Sequence, residues 1–271
     1  MKTLRECIGH ETTLTHVVGA LRERALNFDT KAIGAHLVCC SDESEIECAE
    51  VFQREFVAKL LPNLGEGKKG AFRTSNLGAR YELCSAHIAE HHYATPESRL
   101  TSKCVVIKIN GHVSEMRTPE GKQYGPMQRY DTDSNACGAL HSLLAGKEAP
   151  FAVDLREAFN ADGQDRIAAL LDPKRVEPRF RYLIAGMLSA RMQAMRAMRD
   201  VENHQAASPT VYLIVPCLTL NRYGPDGEIV CGFYVIDHRG IESKSEYVGL
   251  GDDPTRYRIS YEADALRIEY A

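Results

Sequence analysis

The sequence predicts an α/β fold in which helices flank a central, mostly parallel sheet. Two short apolar runs, at 32–40 and 104–109, are bounded by polar residues, which is typical of strands buried on both faces. Helices are predicted around them over 4–27, 41–61, 151–171 and 178–204. A single domain spanning 1–271 is expected, because the chain shows neither an internal repeat nor a low-complexity linker.

The predicted helices differ in character. The helix over 4–27 has apolar residues at amphipathic spacing, which suits packing of one face on a core. The helix over 41–61 begins with acidic residues, where the helix dipole favours negative charge. A stripe of methionines in the helix over 178–204 indicates core packing or a subunit interface rather than a metal relay. Further strands are predicted over 210–220, 228–237 and 256–261.

The segment 62–79 is rich in glycine and polar residues. Long irregular segments in compact domains tend to be functional, so a pocket wall is expected here. Its Gly/Lys run lacks the G-x-x-x-x-G-K-[ST] order of a phosphate-binding loop, which disfavours nucleotide binding. Histidines 87, 91 and 92 follow, and such a cluster suits either a set of metal ligands or the rim of a pocket.

Composition excludes several classes of partner. The chain has 33 Lys and Arg residues against 37 Asp and Glu residues, and this net charge of −4 offers no attraction for nucleic acid or an anionic membrane. No apolar run approaches the roughly 20 residues of a membrane span, and the N-terminus lacks the apolar centre of a signal peptide. We therefore expect a cytoplasmic protein with a small-molecule substrate.

Nine cysteines are scattered along the chain without the regular spacing of a disulfide framework. Most are predicted to be reduced core residues, because a free cysteine behaves as a small buried hydrophobe. Three metal-ligating side chains are nevertheless predicted at one sheet edge. Cys40 ends the first predicted strand, His112 follows the second, and Cys137 precedes a short apolar helix.

The carboxyl edge of a parallel sheet is where α/β proteins carry their chemistry, and a thiol at a helix start is biased toward thiolate. Two cysteines and one histidine with an open fourth position form a catalytic zinc set. From spacing alone, three core residues are the alternative. Asp42 lies two residues after Cys40 and is predicted to accept a hydrogen bond from zinc-bound water, to cap the following helix, or both.

The motifs C-S-D-E at 40–43, G-H-V at 111–113 and A-C-G-A at 136–139 follow one another at fitting separations, with His91 and His92 between the first two. In this order they resemble the limiting-CO2-inducible protein B family, the θ class of carbonic anhydrases. The resemblance implies a zinc lyase that interconverts CO2 and bicarbonate, usually as a homodimer, on a fold similar to the β-class carbonic anhydrases.

Carried over position by position, the resemblance implies zinc ligands at Cys40, His112 and Cys137, with Asp42 as the carboxylate beside the metal. A zinc-bound hydroxide would attack CO2, bicarbonate would leave, and a new water would lose its proton. His91, or its neighbour His92, is the candidate base for that proton.

The sequence departs from the β-class pattern at one position beside the predicted metal. The pattern pairs the aspartate with an arginine two residues later, where this chain has Ser44. Arg73, Arg80 and Arg129 are candidate replacements, and Arg80 is favoured. Without such a partner Asp42 could become a fourth ligand and close the site. The alternatives are therefore a catalytically weak CO2/bicarbonate-sensing or assembly subunit, or a zinc hydrolase acting on another small carbonyl compound.

Overall fold

A computed structural model describes residues 2–60, 71–83, 87, 101–129, 132–135, 137–160, 163–204, 206, 208–240 and 242–271. Its centre is a nine-stranded sheet. Four strands at the middle and one side of this sheet are parallel, in the spatial order β3 (Phe72–Ser75), β2 (Ala32–Cys39), β4 (Lys103–Thr118) and β8 (Thr210–Asn221).

Antiparallel strands complete the sheet. They are β9 (Gly227–Val230) beside β8, β1 (Glu11–Thr13) beside β9, β10 (Gly232–Asp237) beside β8, β11 (Lys244–Gly249) beside β10, and β5 (Gly121–Tyr124) beside β4. Two hairpins stand apart, β6 (Pro126–Arg129) with β7 (Thr132–Asn135), and β12 (Tyr257–Glu262) with β13 (Ala265–Tyr270). The α/β class is confirmed, but the sheet is mixed, because parallel pairing is confined to four strands.

The helices described are α1 (Leu14–Leu26), α2 (Ile46–Phe52), α3 (Ala58–Leu60), α4 (Gly138–Leu144), α5 (Pro150–Phe159), α6 (Arg166–Leu171) and α7 (Arg181–Asn203). Two predicted helices are shorter than expected. The segment before α1 forms β1 instead, and the hydroxyl of Thr13 accepts a hydrogen bond from the N–H of His16 at 3.2 Å, which caps α1. The predicted helix over 151–171 is two helices, with Asn160 as the C-cap of the first.

The long strand β4 corrects one prediction. His112 was expected after the strand, at its carboxyl end, but it lies within β4 and is paired in register with Thr219 of β8. The strand continues because β8 runs beside it as far as the pairing of Ser114 with Asn221. Polar side chains beyond Ile109 are therefore part of the sheet rather than of a following loop.

Helices cover both faces of the sheet. Side chains of α1 pack with Val106 and other residues of one face, whereas α7 packs with the alternate set, including Ile107. Met187 of α7 is buried at 1 % exposure, which confirms a core position for part of the methionine stripe, while Met192 and Met195 are only partly buried.

Eight of the nine cysteines lie among the described residues, and all eight are free and buried. This agrees with the prediction that most of them are reduced core residues. In the described part of the chain, no helix combines the length and the apolar character that a membrane span requires.

Candidate metal centre

Cys40, His112 and Cys137 meet at the end of the parallel strands. Cys40 follows the last residue of β2, His112 lies within β4, and Cys137 is the N-cap of α4. One ligand atom from each lies within 4.8 Å of the other two, and the side chains are at most 2 % exposed. The two sulfurs are 3.7 Å apart, far beyond the roughly 2.05 Å of a disulfide, so both are available as ligands. This group could hold a metal ion.

The orientation of the imidazole is set by Nδ1 of His112. That atom lies 2.9 Å from Oδ1 of Asn221 and 3.1 Å from Oγ of Ser44. Because the Asn221 amide donates its Nδ2 to the Ser44 carbonyl at 3.2 Å and to Asp226 at 3.1 Å, its Oδ1 is the acceptor that faces the ring. Nδ1 of His112 therefore carries hydrogen and donates.

The other ring nitrogen is left for a metal. Nε2 of His112 is buried and has no hydrogen-bond partner among the described residues. A buried imidazole nitrogen without a partner is costly unless something else occupies it. Its position beside two thiols fits a cation that takes nitrogen and sulfur ligands, as zinc does.

Both cysteines receive support from nearby donors. The backbone N–H of Gly78 donates to Sγ of Cys40 at 3.3 Å. This turn requires glycine, since Gly78 has φ +70° and a Cβ there would lie 3.2 Å from that of Ala139. The hydrogen bond from the Cys137 thiol outweighs burial and lowers the pKa of Cys40 to about 4, while the same bond and burial raise the pKa of Cys137. Without a metal, the pair is therefore one thiolate and one thiol.

Positive charge is also stabilised at the histidine. Burial by itself lowers the pKa of His112, but the Cys40 sulfur and the Glu45 carboxylate raise it to about 9. A site that draws a proton onto a buried imidazole is one in which a cation is electrostatically favoured. A metal ion at Nε2 would take the place of that proton.

Ser44 connects Asp42 to the histidine. Oδ1 of Asp42 accepts hydrogen bonds from the Ser44 hydroxyl at 2.8 Å and from the Ser44 N–H at 3.0 Å. The same hydroxyl oxygen lies 3.1 Å from Nδ1 of His112 and accepts its hydrogen. The carboxylate predicted beside the metal is thus joined to a candidate ligand through one serine.

The remaining predicted site residues are not placed in this group. Arg80 is partly exposed and pairs with Asp154 at 2.9 Å and with Glu82 at 3.3 Å. These are its described ion pairs, so orienting Asp42 would require the Arg80 side chain to leave both acids. His91 and His92 lie outside the described residues, as does the side chain of Arg129. The roles assigned to Arg80 and His91 stay predictions.

Sequence reasoning missed a buried polar row on β4, on the same face as His112. Lys108 donates to Glu228, to Oδ1 of Asn110 at 2.9 Å and to the Cys48 sulfur at 3.2 Å. The amide of Asn110 donates to Glu45 and, at 2.7 Å, to Thr219.

A signal for this row was present in the sequence. Polar residues at 108, 110 and 112 alternate within an otherwise apolar strand, and residues two apart on a strand share a face. The row continues the candidate metal centre into the core of the protein.

Comparisons with known proteins support the fold. No protein-family model and no curated protein matches the sequence. Among solved structures, PtLCIB4, a homolog of the limiting CO2-inducible protein LCIB, matches with a TM-score of 0.58 and 15 % identity, over 91 % of this chain and 97 % of that one. Two mutants of PtLCIB4 match with TM-scores of 0.55 and 0.53, at 16 % and 15 % identity, covering 87 % and 89 % of this chain and 93 % and 97 % of theirs. The chain therefore shares the fold of a homolog of LCIB, as its motifs predicted.

Proposed function

We propose that this protein is a zinc-dependent carbonic anhydrase that catalyses the reversible hydration of CO2 to bicarbonate. The observation that carries the proposal is the buried group of Cys40, His112 and Cys137, in which a histidine nitrogen without a partner lies beside two sulfurs. Three protein ligands of this kind are typical of catalytic zinc, whereas structural zinc has four. The shared fold with an LCIB homolog supports the same conclusion.

Zinc, when bound, would supply a Lewis acid that lowers the pKa of water toward about 7. The residues of this chain position the reactants. Asn221 and Ser44 hold the His112 ring so that Nε2 remains available, and the Gly78 N–H stabilises the Cys40 thiolate. Asp42 is proposed to accept a hydrogen bond from the attacking water and to orient its lone pair toward CO2. His91 is proposed to receive the proton, and the protein is proposed to act as a homodimer.

One observation favours a second candidate function. At the position where the β-class pattern has arginine, Ser44 supplies two hydrogen bonds to Oδ1 of Asp42. A neutral hydroxyl holds a carboxylate less strongly than a guanidinium does, so Asp42 is less firmly oriented. This favours a catalytically weak homologue that binds zinc and serves as a CO2/bicarbonate-sensing or assembly subunit.

Stopped-flow CO2 hydration between pH 7 and 9, together with metal analysis, separates the candidates. The wild-type protein should contain about one zinc per chain, the stoichiometry of a single three-ligand site, and should hydrate CO2 above the buffer rate. His112→Ala should lose both. The matched control is His36→Gln, since His36 is also fully buried and bonds to Thr74 rather than to the candidate ligands.

The outcomes are distinct. Bound zinc without hydration would contradict the enzymatic proposal and leave the sensing or assembly subunit. Wild-type protein that takes up no zinc would contradict both.

A further inference from the structure

A second cavity lies on the side of α7 that faces α5 and α6. Its volume is about 380 Å³, within the range of small-molecule sites, and none of the three candidate metal ligands lines it. Its wall is built by Asp154 and Glu157 of α5, Arg166 of α6, a series of α7 side chains, and Asp252. The proposed carbonic anhydrase activity does not use this cavity.

Two of the three acids that line the cavity are already paired. Asp154 accepts a hydrogen bond from Arg80 at 2.9 Å, and Asp252 lies 3.3 Å from the guanidinium of Arg166. Their charges are therefore largely compensated from within the protein. Glu157 is the remaining carboxylate of the lining.

Three cations of the lining have no acid partner. Arg191 donates to the Leu250 carbonyl at 2.6 Å and to the Tyr234 hydroxyl, and these neutral acceptors leave its charge uncompensated. Arg196 and Arg199 form no ion pair with any described residue. Because they stand three residues apart on one helix, their charges repel each other. Positive charge thus accumulates beside a single acid.

The cavity also has an apolar side. Leu188, Met192 and Met195 line it, and the two methionines belong to the stripe that the sequence predicted for a core or an interface. They are only partly buried. Methionine is flexible and adapts its shape to different apolar ligands. The same helix therefore presents a cationic edge and an adaptable apolar surface to one enclosed space.

We propose that this cavity binds a small amphipathic anion, with a carboxylate or phosphate head and an apolar body. The head would lie between Arg196 and Arg199, because guanidinium groups form paired hydrogen bonds with both kinds of oxyanion. The body would lie on Met192 and Met195. A neutral ligand would leave the cationic edge uncompensated, and a bare anion would leave the apolar surface uncovered.

Calorimetric titration of the intact protein tests the proposal with four probes. Octanoate and octyl phosphate carry both parts of the ligand, octanol carries only the body, and inorganic phosphate only the head. We expect one octanoate or octyl phosphate per chain, bound about tenfold or more tightly than octanol or inorganic phosphate. The better of the two amphiphiles identifies the head group as carboxylate or phosphate.

The double substitution Arg196→Gln, Arg199→Gln should weaken the amphiphile about tenfold or more. Arg22→Gln is the control, since Arg22 lies on α1 at the opposite face of the sheet. Equal binding of octanol, absence of binding by both amphiphiles, or unchanged affinity in the double variant would overturn the proposal. So would a wild-type dimer that dissociates in the double variant, because the cavity would then be a subunit interface.

Discussion

Oδ1 of Asn221 lies 2.9 Å from Nδ1 of His112, across neighbouring strands of the sheet. Asn221 closes β8 and is itself held by Asp226 and by the Ser44 carbonyl. The candidate ligand on β4 is therefore oriented by a residue more than a hundred positions away in sequence. This relationship gives the first prediction.

Replacing Asn221 with alanine should weaken zinc binding about 10- to 100-fold, the usual effect of removing a partner that orients a ligating histidine. Competition with a chromophoric chelator measures the change. Asn221→Asp keeps an acceptor for Nδ1 and should retain most of the affinity. Asn203→Ala, at the exposed end of α7, is the control. Full affinity in Asn221→Ala would show that the hydrogen bond does not orient the ligand.

Replacing Ser44 with arginine should raise the rate of CO2 hydration about tenfold or more, because a guanidinium holds a carboxylate more strongly than a hydroxyl does. The variant restores the residue type that the β-class pattern has two positions after the aspartate. Stopped-flow assays with zinc-loaded protein measure the effect. The double variant Ser44→Arg, Asp42→Asn should show no gain, and a gain that survives loss of the carboxylate would refute the role of Asp42.

Replacing Lys108 with methionine should cost about 3–5 kcal/mol of unfolding free energy, because it leaves a carboxylate buried without its partner. The Lys108 and Glu228 side chains are 1 % and 0 % exposed. Urea denaturation measures the loss. The double variant Lys108→Met, Glu228→Gln should recover part of it, since it also removes the orphaned charge. A single variant as stable as wild type would mean that the pair contributes little.

The stability of the protein should fall as pH decreases from about 6.5 to about 4, partly through His36. Burial lowers the pKa of His36 to about 4, whereas an unfolded histidine titrates near 6.5. In this window the unfolded chain binds a proton that the folded chain does not, so the loss should be about 3 kcal/mol. Denaturation of wild type and His36→Gln across this range should show a smaller pH dependence in the variant. Equal slopes would contradict the assignment.

Part of the candidate site could be predicted from local sequence rules. Cys40 was expected at the end of a strand and Cys137 at the start of a helix, and both are found there. Each position follows from the few residues around it, where an apolar run ends or begins. The parallel centre of the sheet was predictable for the same reason.

The environment of His112 could not be predicted in this way. Asn110, His112 and Ser114 stay within β4 because residues of β8, distant in sequence, supply ladder partners for them. The contact of Lys108 with Glu228 joins residues 120 positions apart, and no local pattern announces such a pair. Tertiary context, rather than propensity, determined these positions.

The central claim is that two thiolates and one imidazole hold the metal. X-ray absorption at the zinc edge of the zinc-loaded protein tests it most directly. The account predicts two sulfur ligands at about 2.3 Å and a histidine nitrogen at about 2.0–2.1 Å, with one sulfur lost in Cys137→Ala. Cys104→Ala, which removes a buried cysteine outside the group, should leave the spectrum unchanged. A zinc environment without sulfur, or one that keeps both sulfurs in Cys137→Ala, would contradict the account.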